Sequence, residues 1–274
     1  MRDDKSRGFK VPAGTGAEMA PPDGKRHQRQ DMSSLRREQD DYRRGDFLLF
    51  AHRGASGYEP ENTLRAFRRA LVMGARWLEL DVYAVEGELV VIHDATLERT
   101  TNGKGAVMEQ TLRRLRALDA GRGERIPLLR EVLDLLGRDN GVNIELKGPA
   151  TAAPVAELLG TYLERSRLMP EQLLISAFDQ EELAAFQTLL PHIRIAPIVT
   201  GVPRGYARNA AALGAYAVHA ALPAATKRFI ADAHGRGLKF FVFTVNTRQD
   251  PERMRARGVD GVFTNYPDIL CRDP

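Results

Sequence analysis

Glu79 and Asp81 alternate with apolar residues in WLELDVY (77–83), and Glu145 does the same in VNIELK (142–147). In extended backbone, successive side chains point to opposite faces. Leu78, Leu80 and Val82 therefore share one face and Glu79 and Asp81 the other, just as Ile144 and Leu146 oppose Asn143, Glu145 and Lys147. A carboxylate buried alone is too costly to keep, so acids on an interior face must be paired or must bind a cation. Oxygen-only ligation suits one hard divalent cation, Mg2+ or Ca2+, with Mn2+ as a third candidate. Arg53 and Lys147 are then available to draw in and orient an anionic substrate. The competing reading is an internal salt-bridge lattice of Glu79, Asp81, Glu145, Arg53 and Lys147. His52 ends FLLFAH (47–52) on the face of Leu48 and Phe50, and His93 follows the apolar run LVVI (89–92). Two imidazoles, with an ordinary pKa near neutrality, can take a proton from one reacting oxygen and give one to another.

Eight β-type runs could position these groups: 47–52, 77–83, 142–147, 173–178, 194–199, 216–220, 239–245 and 261–265. Amphipathic stretches lie between most of them, at 62–75, 129–137, 154–166, 180–190, 225–237 and 250–258, while 201–213 is weakly patterned. Strands alternating with helices imply a parallel sheet, and eight evenly spaced units favour a (β/α)8 TIM barrel over an open doubly wound sheet. No Gly-x-Gly-x-x-Gly follows the first strand, which removes the main support for a dinucleotide site. The candidate residues fall at the C-terminal ends of their strands, the face on which barrel active sites form. Segment 84–126 breaks the rhythm, since barrel connections of this kind normally need two to six residues. It opens with a turn at Glu86-Gly87, predicts a strand returning antiparallel to the second, and carries His93. We expect it to be an insertion after strand 2, lying over the active-site face.

With one cysteine, Cys271, the 274-residue chain can form neither an internal disulfide nor a cysteine metal cluster. A sequence pI near 9.3 suggests nucleic acid until the charge is located. Residues 1–45 hold 11 Lys and Arg against 8 Asp and Glu, and the rest of the chain holds 29 against 28. The folded part is near neutral, so nucleic acid is not the expected partner. Residues 1–45 are rich in Gly, Pro, Gln and mixed charge, and are expected to form a disordered polar and basic tail, with the barrel spanning 46–274. No apolar segment has signal-peptide or transmembrane length, which leads to the expectation of a cytoplasmic protein. Oligomeric state is not legible.

HRGASGYEPENTLRAFRRAL (52–71), LELDVYAVEGELVVIHDATLERTTNGKG (78–105) and NIELKG (143–148) together closely resemble the glycerophosphodiester phosphodiesterase family. The resemblance continues through ISAFD (175–179), FTVN (243–246) and VDGVFTNYP (259–267), and excludes the tail. It implies a barrel that hydrolyses glycerophosphodiesters to glycerol 3-phosphate and an alcohol. It further implies Glu79, Asp81 and Glu145 as metal ligands, His52 and His93 as the catalytic pair, and Arg53 and Lys147 as phosphate contacts. Which histidine is acid and which base stays open at this point. Two other readings are a lysophospholipase D-like or other phosphodiesterase on the same site, and a non-catalytic barrel that binds a phosphorylated ligand.

Several residues have weaker claims. Asn62 is expected to cap the first helix, with a place in the site as the alternative. Glu61 is either a first-turn acid or a neighbour of the metal site. Phe178 and Phe243 end strands on the open face, where they could pack on the glycerol or the leaving alcohol. The family more often has Trp where this chain has Phe243. His219 ends a strand and is expected to be structural, and TTNGKG (100–105) is expected to be a turn cluster.

Overall fold

The computed structural model describes residues 47–269. Eight parallel strands close into a barrel: β1 (Leu48–His52), β2 (Trp77–Val85), β4 (Gly141–Leu146), β5 (Leu173–Ala177), β6 (Arg194–Val199), β7 (Ala217–Ala221), β8 (Lys239–Phe243) and β9 (Gly261–Thr264). Closure comes from β1, which pairs with β9 on one side and β2 on the other. The remaining strand, β3 (Glu88–Val91), turns back antiparallel on β2 through Glu86-Gly87. Both turn residues have positive φ, 50° and 80°, as a tight hairpin of this hand requires.

Helices α1 (Leu64–Val72), α3 (Leu129–Leu133), α4 (Ala152–Glu164), α5 (Gln180–Leu189), α6 (Arg208–Ala212), α7 (Lys227–Gly235) and α8 (Asp250–Ala256) surround the barrel, and α2 (Leu112–Ala117) belongs to the segment after β3. Several start at capping side chains that take up free backbone N–H groups. Thr63, Asp179 and Thr226 each accept from the first turn of the helix that follows. The weakly patterned connection at 201–213 holds only the five-residue α6. The 129–137 pattern shrinks to α3, which ends at Leu133.

The outward-facing Leu78, Leu80, Val82, Ile144 and Leu146 pack against the helices in the main core. Inside the barrel, Phe50, Leu174, Ala196, Ala217, Phe241 and Phe263 form a separate apolar plug, with Phe50 stacked on Phe263 at 4.4 Å between centroids. That plug closes the lower barrel, so polar side chains nearer the C-terminal ends line a dead-end pocket. The segment after β3 packs on its own apolar cluster, which includes Val90, Ile92, Leu97, Val107, Leu115 and Leu128. The expectations for the tail and for Cys271 fall outside the described residues. Among the described residues, no helix is long and apolar enough to cross a membrane.

Gly54 anchors the loop after β1 at φ 79°. A Cβ there would sit 2.7–2.9 Å from backbone and side-chain atoms of Ala66 on α1. Gly54→Ala is therefore expected to lower stability by about 1–3 kcal/mol, through combined crowding and φ strain, measurable by urea denaturation. An unchanged midpoint would show that α1 is free to move.

Candidate active site

Strands β2 and β4 lie in register with Glu79 opposite Asn143 and Asp81 opposite Glu145. Strand alternation therefore turns all three acids into the barrel. One oxygen from each of Glu79, Asp81 and Glu145 lies within 4.8 Å of the others, and all three residues are buried. Lys147 Nζ pairs with Glu145 at 2.8 Å and reaches Asp81 at 3.8 Å, while Arg53 Nε stands 3.3 Å from Asp81. The salt-bridge lattice is thus present, yet it leaves three carboxylates facing two cations. Burial, then Asp81 and Glu145, pushes the Glu79 carboxyl well above its ordinary range. Burial and Asp81 raise Glu145 to about 7 against the pull of Lys147. Oxygens on opposite sides of a cation bound at 2.3–2.6 Å lie up to about 5 Å apart. The donor set, its spacing and Asp81 Oδ1, which accepts no hydrogen bond, all fit a hard divalent ion.

The loop after β1 folds around these acids. Arg53, at φ 57°, turns its backbone N–H onto Glu79 Oε2 at 2.7 Å. Its guanidinium also meets Glu61 at 2.8 Å. Asn62 is not the helix cap: Thr63 accepts from the Ala66 N–H and caps α1. Asn62 itself sits at φ 57° and donates from Nδ2 to Asp81 Oδ2 at 2.9 Å. Two adjacent capping residue types compete for one position here, and the buried carboxylate claims the amide. His52 is fixed from the end of the neighbouring strand β9, its Nδ1 2.8 Å from Asn265 Oδ1. Asn265 is steadied in turn by donating its N–H to Asn246 Oδ1 at 2.9 Å.

His93 follows β3, its Nδ1 2.5 Å from Asp94 Oδ1. Arg99 locks this dyad to the barrel. It donates to both Asp94 oxygens, at 2.5 and 2.8 Å, and to both Glu61 oxygens, at 2.7 and 2.8 Å. The Arg99 hydrogen bond, above all, holds Asp94 well below the usual carboxylate range. Burial would raise Glu61, but the hydrogen bonds from Arg99 and Arg53 outweigh it and bring that carboxyl down to about 2. Glu61 lies ahead of α1 rather than in its first turn, one residue removed from the acids through Arg53. It bridges Arg53 of the barrel and Arg99 of the inserted segment.

His52, Arg53, Glu79, His93, Glu145, Phe178 and Phe243 line a single pocket of about 220 Å3 at the barrel mouth. Asp81, opposite Glu145, is fully buried and off this lining, and Lys147 stands 5.6 Å from the Phe178 ring centroid. Phe178 and Phe243 meet edge to face at 6.4 Å. His219 is also on the lining, together with Asn143 and Ser176, while its ring packs on Phe263 and Phe241. TTNGKG lies outside this lining and holds turns, as in the Thr101 hydroxyl that accepts from the Gly103 N–H. Sequence reasoning missed Asn265, Asn246, Asp94 and Arg99 as supports. The first two stood where a signal existed, just past the ends of β9 and β8. Six buried side-chain polar atoms lack a hydrogen-bond partner among the described residues, and five belong to Arg53, Asn62, Asp81, Asn143 and His219. Arg53 Nε and Asp81 Oδ1 still have ion-pair partners, whereas groups without hydrogen bonds are rare in folded interiors, and Arg53, Asn143 and His219 lie on this one pocket.

A sequence model described as the glycerophosphoryl diester phosphodiesterase family matches residues 52–269. The glycerophosphodiester phosphodiesterase of Caldanaerobacter subterraneus subsp. tengcongensis is 38% identical over 233 residues, covering 81% of this chain and 96% of that protein. The protein of the same name from Bacillus subtilis is 35% identical over 251 residues, covering 81% and 85%. Among solved structures, an Oleispira antarctica phosphodiesterase in complex with the product sn-glycerol-3-phosphate superposes with a TM-score of 0.74 at 29% identity, over 81% of this chain and 94% of that one. The matched region runs from His52 through the barrel to Ile269 and takes in every residue that lines the pocket, so this chain belongs to the glycerophosphoryl diester phosphodiesterase family.

Proposed function

We propose that the chain hydrolyses glycerophosphodiesters, such as glycerophosphocholine or glycerophosphoethanolamine, to glycerol 3-phosphate and an alcohol. Glu79, Asp81 and Glu145 would hold one divalent cation, Mg2+ or Ca2+. His52 and His93 would move the protons. The observation that carries this reading is that two imidazoles, held by different partners, share a pocket with the buried acids. The bound cation supplies positive charge against the phosphoryl oxygens and helps to orient the diester.

An amide oxygen only accepts, so Asn265 Oδ1 fixes the proton of His52 on Nδ1 and leaves the Nε2 lone pair free. Burial, and then Arg53, lower this imidazole to about 4, so it is neutral near pH 7. His52 Nε2 is accordingly assigned to take the proton of the attacking oxygen. The Asp94 carboxylate likewise holds a proton on His93 Nδ1, and the doubly protonated His93 is assigned to give its second proton, from Nε2, to the departing alkoxide. Arg53 and Lys147 orient the phosphate, as cations already tethered by carboxylates. Phe178 and Phe243 pack on the carbon skeleton of the substrate.

The test is direct. Protein stripped with a chelator is reloaded with Mg2+, Ca2+ or Mn2+ and given a panel of glycerophosphodiesters and lysophospholipids. Release of glycerol 3-phosphate, followed by a coupled assay, is expected with water-soluble diesters and only with cation. Release from no member of the panel would remove the proposal.

A second expectation concerns Arg99. Its fork holds His93 through Asp94, so Arg99→Ala should lower kcat about 10–100-fold with little change in KM, because a small misplacement of a reacting group is costly. Arg99→Lys should recover little, since an ammonium cannot span two carboxylates bidentately. A kcat within twofold of wild type for either variant would show that His93 is held by other contacts.

A further inference from the structure

All eight barrel strands run parallel, so their N-terminal ends and the helix-to-strand connections that feed them form one base, opposite the pocket. These connections, with the first residue of each strand, hold eight Lys and Arg against four Asp and Glu. Residues 47–269 as a whole hold 28 against 26. The base is therefore net positive and the rest of the barrel net negative, a polarity that the near-zero total conceals.

Two of the base acids are taken up locally. Arg167 Nη2 meets Asp134 Oδ1 at 3.1 Å, and Lys239 Nζ meets Asp260 Oδ1 at 3.1 Å. Arg236 turns aside to Asp232 on α7. Arg76, Arg138, Arg165, Arg194 and Arg257 make no ion pair among the described residues, and only Asp139 and Glu171 remain to offset them. Four of these arginines are exposed, while Arg194 covers the Tyr216 ring at 4.6 Å. Set among them are Val72, 85% exposed, Met169 and Leu189, at the end of α1, between α4 and β5, and at the end of α5. Single apolar side chains on a surface are ordinary. Here three share one end with unpaired arginines and with half-buried Trp77 and Tyr216, at the lower edge of the plug. Cationic, aliphatic and amphipathic aromatic side chains are the groups that a lipid headgroup layer accepts together.

We propose that the barrel base docks on the surface of an anionic lipid bilayer, with its arginines on headgroup phosphates and its aliphatic side chains in the headgroup layer. A nucleic acid would use the same charge but would leave three aliphatic side chains in water. Residues 1–45, with 11 Lys and Arg against 8 Asp and Glu, join the barrel at this end, because β1 starts there. Their excess charge has the sign of the base. The pocket then opens away from the bilayer, toward water-soluble diesters, and lysophospholipids embedded in that bilayer stay out of its reach. The docking surface is independent of the phosphodiesterase reading.

Sedimentation of the full chain with vesicles tests it. Binding is expected to mixed phosphatidylglycerol and phosphatidylcholine vesicles, not to phosphatidylcholine alone, and should fall as salt rises from about 0.05 M to about 0.5 M. Arg76→Gln, Arg165→Gln and Arg257→Gln combined should weaken it on the order of 100-fold, about fivefold for each charge near the surface. Met169→Ser with Leu189→Ser should weaken it about threefold or more. All five side chains are exposed, so the melting temperature should not move. Trp77 is the single tryptophan of the chain, so lipids brominated near the headgroup should quench its fluorescence. Wild-type binding by the triple variant would assign attachment to residues 1–45, and wild-type binding by the serine variant would make the partner a soluble polyanion. Vesicle binding without quenching of Trp77 would place another face on the bilayer. Each of these results, or no binding at all, would overturn the proposal.

Discussion

His93→Ala is expected to lower kcat on glycerophosphocholine by ~10²–10⁴-fold, roughly 3–5 kcal/mol of barrier, while the protein stays folded. The side chain is 29% exposed and its ring pairs with Asp94, so truncation opens no core cavity. His52→Ala should cost a similar factor, because it removes the imidazole fixed by Asn265.

The two variants should separate when the leaving group changes. A nitrophenolate departs without being protonated, whereas choline or ethanolamine must leave as an alkoxide that gains a proton. On a nitrophenyl ester of glycerol 3-phosphate, His93→Ala should regain most of its rate relative to wild type, and His52→Ala should not. Steady-state kinetics on the two substrates give four ratios that test the division of labour. Equal deficits of His93→Ala on both substrates would sink its role as the acid, and selective rescue of His52→Ala would reverse the assignment.

What the sequence revealed, and what it withheld, follows from the range of the interactions. Strand alternation is local, so the inward direction of Glu79, Asp81 and Glu145 was legible from WLELDVY and VNIELK alone. Eight apolar runs with helical patterns between them likewise led to the closed barrel. Asn62 was misread because Asn62 and Thr63 are both good capping residues and helical periodicity cannot place a boundary to one residue. The deciding partner, Asp81, is 19 positions away. The Arg99–Glu61 contact spans 38 positions and His52–Asn265 spans 213, and neither leaves a periodic trace. His219 fell between these cases: alternation allowed it to face inward, but only the tertiary packing on Phe241 and Phe263 shows that, among the described residues, its Nε2 has no hydrogen-bond partner.

The same buried acids set a pH dependence whose sign can be worked out. Glu145 is raised to about 7 and Glu79 lies well above its ordinary value, chiefly through burial and mutual repulsion with Asp81. In the cation-free protein, folding therefore raises the affinity of this cluster for protons. Between the unfolded carboxyl pKa, near 4.5, and about 7, the folded state binds more protons than the unfolded one, so stability falls as pH rises through this window. A divalent ion competes with those protons, and its binding must release them. The melting temperature of the chelated protein is expected to fall between pH 5 and pH 8 relative to the Mg2+-loaded protein, so that the gap between them widens with pH. Glu145→Gln removes one of the titrating groups. It should flatten the decline, raise the melting temperature of the chelated protein at pH 8, and abolish most of the stabilisation by Mg2+ together with turnover. Calorimetry in buffers of different ionisation heat should register proton release on Mg2+ binding at pH 6 and less at pH 8. A melting gap that stays constant from pH 5 to pH 8, with no proton release, would mean that the carboxylates are already fully ionised without the ion. The neutralising groups would then have to be Arg53 and Lys147, and the salt-bridge lattice, not a cation, would be the resting state of the site.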